Sequence, residues 1–168
     1  MINLTFDEFM KADFTLYKNN PVIRNPKNSF VVADPSVLTP DISPDGKWHL
    51  FCHTFLGVYH YESADGISFK NNGRVVNRAM RPDINIIDGR YYLFYERTMP
   101  LICNALSFLG GKWKSEIYCT ESTDLKTWTK PHLVIGQTRP FEVDKKGQSI
   151  SNPFLIKKDD GYRLYYSC

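Results

Sequence analysis

A chain of 168 residues with 42% hydrophobic and 23% charged side chains has the size and make-up of one globular domain, or of a piece of a larger one, which excludes two full domains, a coiled coil and a disordered tract. Phe, Tyr and Trp reach 14%; such side chains favour pleated, half-buried surfaces, so an all-β fold is expected. The 21 Lys and Arg against 18 Asp and Glu leave a net charge of +3, and the cations stand singly or in pairs such as Lys145-Lys146, so no stripe follows a phosphate backbone and no nucleic-acid partner is expected.

At the N-terminus, Met1 to Met10 carries Asp7 and Glu8 where a secretory leader needs cations. No apolar run approaches the length of a membrane span, so a cytoplasmic location without a membrane partner is expected. Asn20-Pro21-Val22-Ile23 reads as the outermost strand of a sheet. One ordered pattern then recurs three times. The first copy runs Ala33-Asp34-Pro35-Ser36-Val37-Leu38, then Asp45-Gly46-Lys47-Trp48-His49-Leu50-Phe51-Cys52-His53, then Val58 to Glu62, a Ser63-Ala64-Asp65-Gly66 turn, Phe69 and Val75-Val76. The second runs Arg81-Pro82-Asp83-Ile84-Asn85-Ile86, Asp88-Gly89-Arg90-Tyr91-Tyr92-Leu93-Phe94-Tyr95-Glu96, Glu116 to Glu121, Ser122-Thr123-Asp124, Trp128 and Leu133-Val134-Ile135. The third runs Ser151-Asn152-Pro153-Phe154-Leu155-Ile156 and Asp160 to Ser167.

Each copy predicts a strand, an Asp-Gly turn, an aromatic strand, a loop, a third strand, a Ser-x-Asp turn and a short fourth strand. Four antiparallel strands per copy make a β-propeller blade. Of the spacings between the prolines at 35, 82 and 153, the first matches the usual blade of about 40 to 50 residues, and loops around Met99 to Gly111 and Gly136 to Ile150 absorb the excess in the second. The expected organisation is a single partial domain over 1–168: an N-terminal segment 1–30 with a blade-closing strand, blade one over 31–77, blade two over 78–136 and the start of blade three over 150–168. Two and a half blades do not close a ring. Missing C-terminal blades or a homodimer are therefore expected, with the open edge of Asp160 to Ser167 as the pairing surface.

The Ala33-Asp34-Pro35-Ser36-Val37-Leu38 run, with the Asp-Gly-Lys/Arg-Trp/Tyr-x-Leu-Phe strand and the Ser-x-Asp turn after it, resembles the five-bladed β-propeller glycosidases, in particular glycoside hydrolase family 43, over residues 20 to 168 and about half of that fold. The resemblance implies hydrolysis of glycosidic bonds in arabinose- or xylose-containing oligosaccharides at a funnel on the propeller axis. It also implies that Asp34 is the base that activates water. Asp83 is the second candidate catalytic carboxylate, although here the carboxylate follows the proline. The third copy carries Asn152 ahead of its proline, and the family's proton donor has no counterpart in this chain.

Such hydrolysis needs two carboxyl groups in different environments. Asp34, Asp83 and Asn152 are read as starting corresponding strands that converge on the axis. His53 and Glu96 end corresponding second strands, Arg81 flanks the second copy, and with Asn152 these are the candidate sugar-binding residues. Asp-Pro is also a common turn starter, and a charged pair between blades would look the same in sequence. A non-catalytic carbohydrate-binding or assembly module is thus the second reading. No cofactor and no metal are expected, because the histidines at 49, 53, 60 and 132 lack metal-ligand spacing. Cys52, Cys103, Cys119 and Cys168 lack a Cys-x-x-Cys pair and are read as reduced, packed thiols. Trp48, Tyr91 and Tyr162, with Leu50, Leu93 and Leu164, are read as packing between blades, Phe69 and Trp128 as plugs, and the Ser-x-Asp turns as self-bonded loops.

Overall fold

The computed structural model describes residues 4–98, 100, 114–142 and 148–168; the insertion expected around Met99 to Gly111 and Cys103 lie outside these residues, Pro100 apart. A short helix, α1 (Phe6–Lys11), opens the chain, capped by Thr5, whose hydroxyl and backbone N–H engage Glu8 reciprocally. The rest is β: β1 (Ala33–Leu38), β2 (Trp48–Thr54), β3 (Gly57–Ser63) and β4 (Lys70–Asn77) form the first sheet in chain order. The second sheet follows the same order with β5 (Ala79–Ile87), β6 (Arg90–Thr98), β7 (Lys114–Ser122) and β8 (His132–Ile135), while β9 (Gln148–Ser149) adds a short parallel pairing to β7. A third, two-stranded sheet joins β10 (Ser151–Lys158) to β11 (Gly161–Ser167). These are the blades that the three sequence copies predict.

The turns follow the backbone freedom of their residues. Asp88 and Gly89, with φ of 48° and 75°, form the two-residue connection between Ile87 and Arg90, the twist that suits a hairpin. Gly57 has φ of 139°, and a Cβ there would lie 2.0 Å from the Val76 carbonyl oxygen. Only glycine lets β3 and β4 approach this closely.

The innermost strands β1, β5 and β10 lie side by side, each entering from its own blade. Between blades one and two lies a core of Leu38, Phe51, Val58 and Val76 against Ile84, Tyr91, Leu93 and Tyr95, with Leu125 from the second blade's turn. Leu93 and Tyr95 are wholly buried, each worth about 1.5–3 kcal/mol of burial. Trp128 meets the Phe51 ring edge-on at 5.8 Å, and Phe69 packs beside Leu50, Cys52 and Tyr61 on the opposite face of blade one. Both aromatics therefore serve as plugs. At the third copy Tyr162, the second-strand counterpart of the buried Tyr91, is exposed.

Residues 20–23, expected to form a blade-closing strand, are not a strand. Pro21 has no N–H to offer a ladder, and Ile23 and Val32 instead lie on the Leu50, Cys52 and Tyr61 face of blade one. Cys52 and Cys119 are buried free thiols and Cys168 is an exposed one; burial pushes the first two up to about 12. No described helix is long and apolar enough to cross a membrane.

Candidate functional site

At the start of each innermost strand, one residue ahead of a proline adopts the left-handed conformation: Asp34 at φ 49°, Arg81 at 49° and Asn152 at 50°. A residue before proline is normally extended, and such a non-glycine φ costs on the order of 1–3 kcal/mol. The ladder slips at the same place in every blade, between Ala33 and Ser36, Met80 and Asp83, and Ser151 and Phe154. A bulge of this kind re-aims the side chain it carries. In each blade that side chain reaches the end of the second strand. Asp34 Oδ2 lies 3.2 Å from His53 Nδ1, the Arg81 guanidinium is ion-paired with Glu96, and Asn152 Nδ2 donates to Ser167 Oγ at 2.8 Å.

The register makes His53, Glu96 and Ser167 equivalent, facing Ala33, Met80 and Ser151. The residue that corresponds to Asp34 in the second blade is therefore Arg81, and Asp83 corresponds to Ser36 and Phe154, which pair with Phe51 and Tyr165 as Asp83 pairs with Phe94. Asp83 is buried, and its Oδ2 accepts the Leu155 backbone N–H at 2.8 Å and the Asn85 side-chain amide at 2.7 Å. Burial raises its pKa against the pull of those two donors. The structure thus brings Asp34, His53, Arg81 and Glu96 together, sets Asn152 at the matching point of blade three, and turns Asp83 toward the neighbouring blade.

Within the cluster the exposures differ in a way that separates the two carboxylates. The Asp34 side chain is 51% exposed, whereas Glu96 is closed off at 0%. Arg81 spans them: its Nε lies 3.9 Å from Asp34 Oδ2 while its Nη1 holds Glu96. His53 is buried beneath, its Nδ1 also taking the Arg81 backbone N–H at 3.4 Å. Desolvation lowers the His53 pKa, partly offset by the Asp34 charge, which keeps the ring neutral near pH 7. A half-exposed carboxylate flanked by an arginine and a neutral imidazole can take a proton from a bound water. The outer face of Arg81 and the Asn152 amide can bond sugar hydroxyls. Among the described residues, no three His, Cys, Asp or Glu side chains are grouped to hold a metal ion.

Sequence reasoning passed over Ser167 and the role of Ser36. The signal was present, since aligning the copies on their prolines places Arg81 under Asp34 and Asp83 under Ser36. It also passed over a buried pair on blade one, where His49 Nδ1 meets His60 Nε2 at 2.8 Å and His49 Nε2 meets Asp45 Oδ1 at 2.8 Å. A two-residue link between Thr54 and Gly57 sets that register.

No family model matches the chain, and no curated protein matches it. Solved structures do. The chain is similar to a family 117 glycoside hydrolase from Zobellia galactanivorans, with a TM-score of 0.61 and 17% identity over 85% of this chain and 51% of that one. It is similar to a family 43 endo-arabinanase from Bacillus licheniformis, at 0.56 and 19% over 82% and 46%. A Cellvibrio cellulosa α-L-arabinanase solved with arabinohexaose gives 0.56 and 21% over 79% and 43%. The fold is that of the β-propeller glycosidases. The chain spans about half the length of these structures.

Proposed function

We propose that this chain forms part of a glycoside hydrolase acting on an oligosaccharide of the arabinose or xylose type, with Asp34 as the base that activates water. The observation that carries the reading is the half-exposed Asp34 carboxylate at the axial end of β1, flanked by His53 and Arg81, while Arg81 is anchored on the closed-off Glu96. In this reading Asp34 accepts a proton from water as that water attacks the anomeric carbon. Arg81 and Asn152 bind sugar hydroxyls, Arg81 also holds Asp34 through its Nε, His53 takes the Arg81 backbone N–H, and Glu96 positions the Arg81 guanidinium. The proton donor to the leaving oxygen belongs to the part of the propeller beyond this half. The fold shared with the Bacillus licheniformis endo-arabinanase and the Cellvibrio cellulosa arabinanase supports the substrate class.

The test is turnover of 4-nitrophenyl α-L-arabinofuranoside and β-D-xylopyranoside by the protein and by Asp34→Asn, with binding of the matching oligosaccharides measured alongside. Asparagine is the better replacement than alanine because it tolerates the left-handed φ of position 34. Loss of turnover with retained binding supports the base.

A second reading, a non-catalytic carbohydrate-binding or assembly module, is favoured by Asn152, which puts an amide where a third-blade carboxylate would stand, and by the closure of Glu96. It predicts sugar binding without turnover in both proteins.

A further inference from the structure

Lined by none of the residues of the Asp34 cluster, a cleft of about 600 Å³ opens between β4 of blade one and the Ser-x-Asp turn of blade two. That volume is within the range of small-molecule sites, about 300–1,000 Å³. Its two walls carry different chemistry. Blade one presents Asp45 and Glu62, tethered by Lys47 at 3.5 Å and 3.7 Å. Lys70 stands 3.9 Å from Glu62, whose other oxygen accepts the Asn72 amide at 2.9 Å. Blade two presents the half-buried Trp128.

Two further cations line the cleft, exposed Arg74 from blade one and exposed Lys126 from blade two. Neither enters an ion pair among the described residues.

At the floor lies His60, buried and stacked on Phe51 at 4.7 Å. Its tautomer follows from its partners. An ionised Asp45 only accepts, so His49 donates from Nε2 and accepts at Nδ1 from His60 Nε2, which leaves His60 Nδ1 as an acceptor. Burial works against ionised Asp45, but the His49 hydrogen bond and the Lys47 N–H hold its pKa below the ordinary carboxylate value.

We infer that this cleft binds an acidic saccharide, a sugar unit bearing a carboxylate or sulfate. A bare inorganic anion would meet the repulsion of Asp45 and Glu62. A neutral sugar would leave Arg74 and Lys126 unmatched. A sugar acid satisfies both walls: its hydroxyls donate to Asp45, Glu62 and His60, its anionic group meets Arg74 and Lys126, and an apolar ring face lies on the Trp128 indole. The site is separate from the axial cluster and does not depend on hydrolysis there.

The experiment titrates digalacturonate, the corresponding neutral galactose disaccharide and sodium sulfate into the protein, into the Arg74→Ala/Lys126→Ala double variant and into Asn152→Gly, which removes a sugar-binding amide of the axial site at a φ that glycine tolerates, using calorimetry at low and high salt. Both cations are exposed, so the double variant leaves the core intact. The expected result is binding of digalacturonate alone, weakened by salt, weakened about tenfold or more in the double variant, and unchanged in Asn152→Gly. Equal binding of the neutral disaccharide, equal binding of sulfate, an undiminished affinity in the double variant, or no binding of digalacturonate at all would each overturn it. Loss of binding in Asn152→Gly would reassign the ligand to the axial site and overturn it as well.

Discussion

Ser36 and Asp83 are the same residue of successive blades: Ser36 Oγ accepts the Ile84 backbone N–H at 3.0 Å, and Asp83 Oδ2 accepts the Leu155 backbone N–H at 2.8 Å. Each fastens its own innermost strand to the next one round the axis. A serine suffices for the first joint and a buried carboxylate serves the second, where Asn85 supplies another donor.

Replacing that carboxylate separates its charge from its acceptor. Because burial raises the Asp83 pKa, the folded state favours the protonated form, and the associated stability is present at low pH and lost as pH rises through the folded value. Asp83→Asn keeps an acceptor for Leu155 and removes the buried charge, so its stability at pH 7 is expected to equal or exceed that of the parent. Asp83→Ala leaves the Leu155 N–H unsatisfied and is expected to cost about 1–3 kcal/mol. Urea denaturation of the two variants checks the order.

Gly57→Ala forces a Cβ onto the Val76 carbonyl oxygen at a φ that L-residues avoid. The expected loss is about 1–3 kcal/mol, read as a lowered melting temperature. The same change at Gly46, whose Cβ would meet nothing within 4 Å, carries only the strain of its positive φ and is expected to cost less.

Two further windows shape the pH dependence of stability. Burial and the neighbouring His49 push His60 down to about 4. A histidine whose folded pKa falls below the unfolded value near 6.5 favours the fold at neutral pH, and that contribution is lost as pH drops from about 6.5 toward 4. The magnitude is on the order of 3 kcal/mol. Below that window Asp65 and Asp124 take over. Backbone N–H groups hold both well under the usual carboxylate range, those of Ser68 and Ile67 for Asp65 and those of Thr127 and Lys126 for Asp124. Their stabilisation is present above about pH 4, the ordinary carboxylate value, and is lost as pH falls below it through their depressed values. Denaturation profiles from pH 7 to 4 are expected to slope downward for the parent and to flatten in His60→Gln, whose amide can still donate to His49.

The blades were legible because their turns are local: Asp88-Gly89 dictates its hairpin, and Ser63-x-Asp65 and Ser122-x-Asp124 close on their own backbones. The four-residue segment at Asn20 to Ile23 misled because its apolar pattern fits either a strand or a cover for blade one, and only the packing of Ile23 on that face decides. The Asp34, His53, Arg81 and Glu96 grouping was legible as a set of blade-start and strand-end positions. The equivalence of Arg81 with Asp34 was hidden, because matching carboxylate to carboxylate aligned Asp83 instead of the proline-defined bulge. The His49–His60 contact needed the register of β2 on β3, which a two-residue link sets and composition does not.

Turnover of the aryl arabinofuranoside and xylopyranoside by the protein and by Asp34→Asn tests the central claim most directly. Because 4-nitrophenolate departs without protonation, the account predicts slow but measurable hydrolysis without the proton donor, falling about 10²–10⁴-fold in the variant, with oligosaccharide affinity retained. Hydrolysis at the parent rate in Asp34→Asn, or sugar binding with no hydrolysis in either protein, would contradict it.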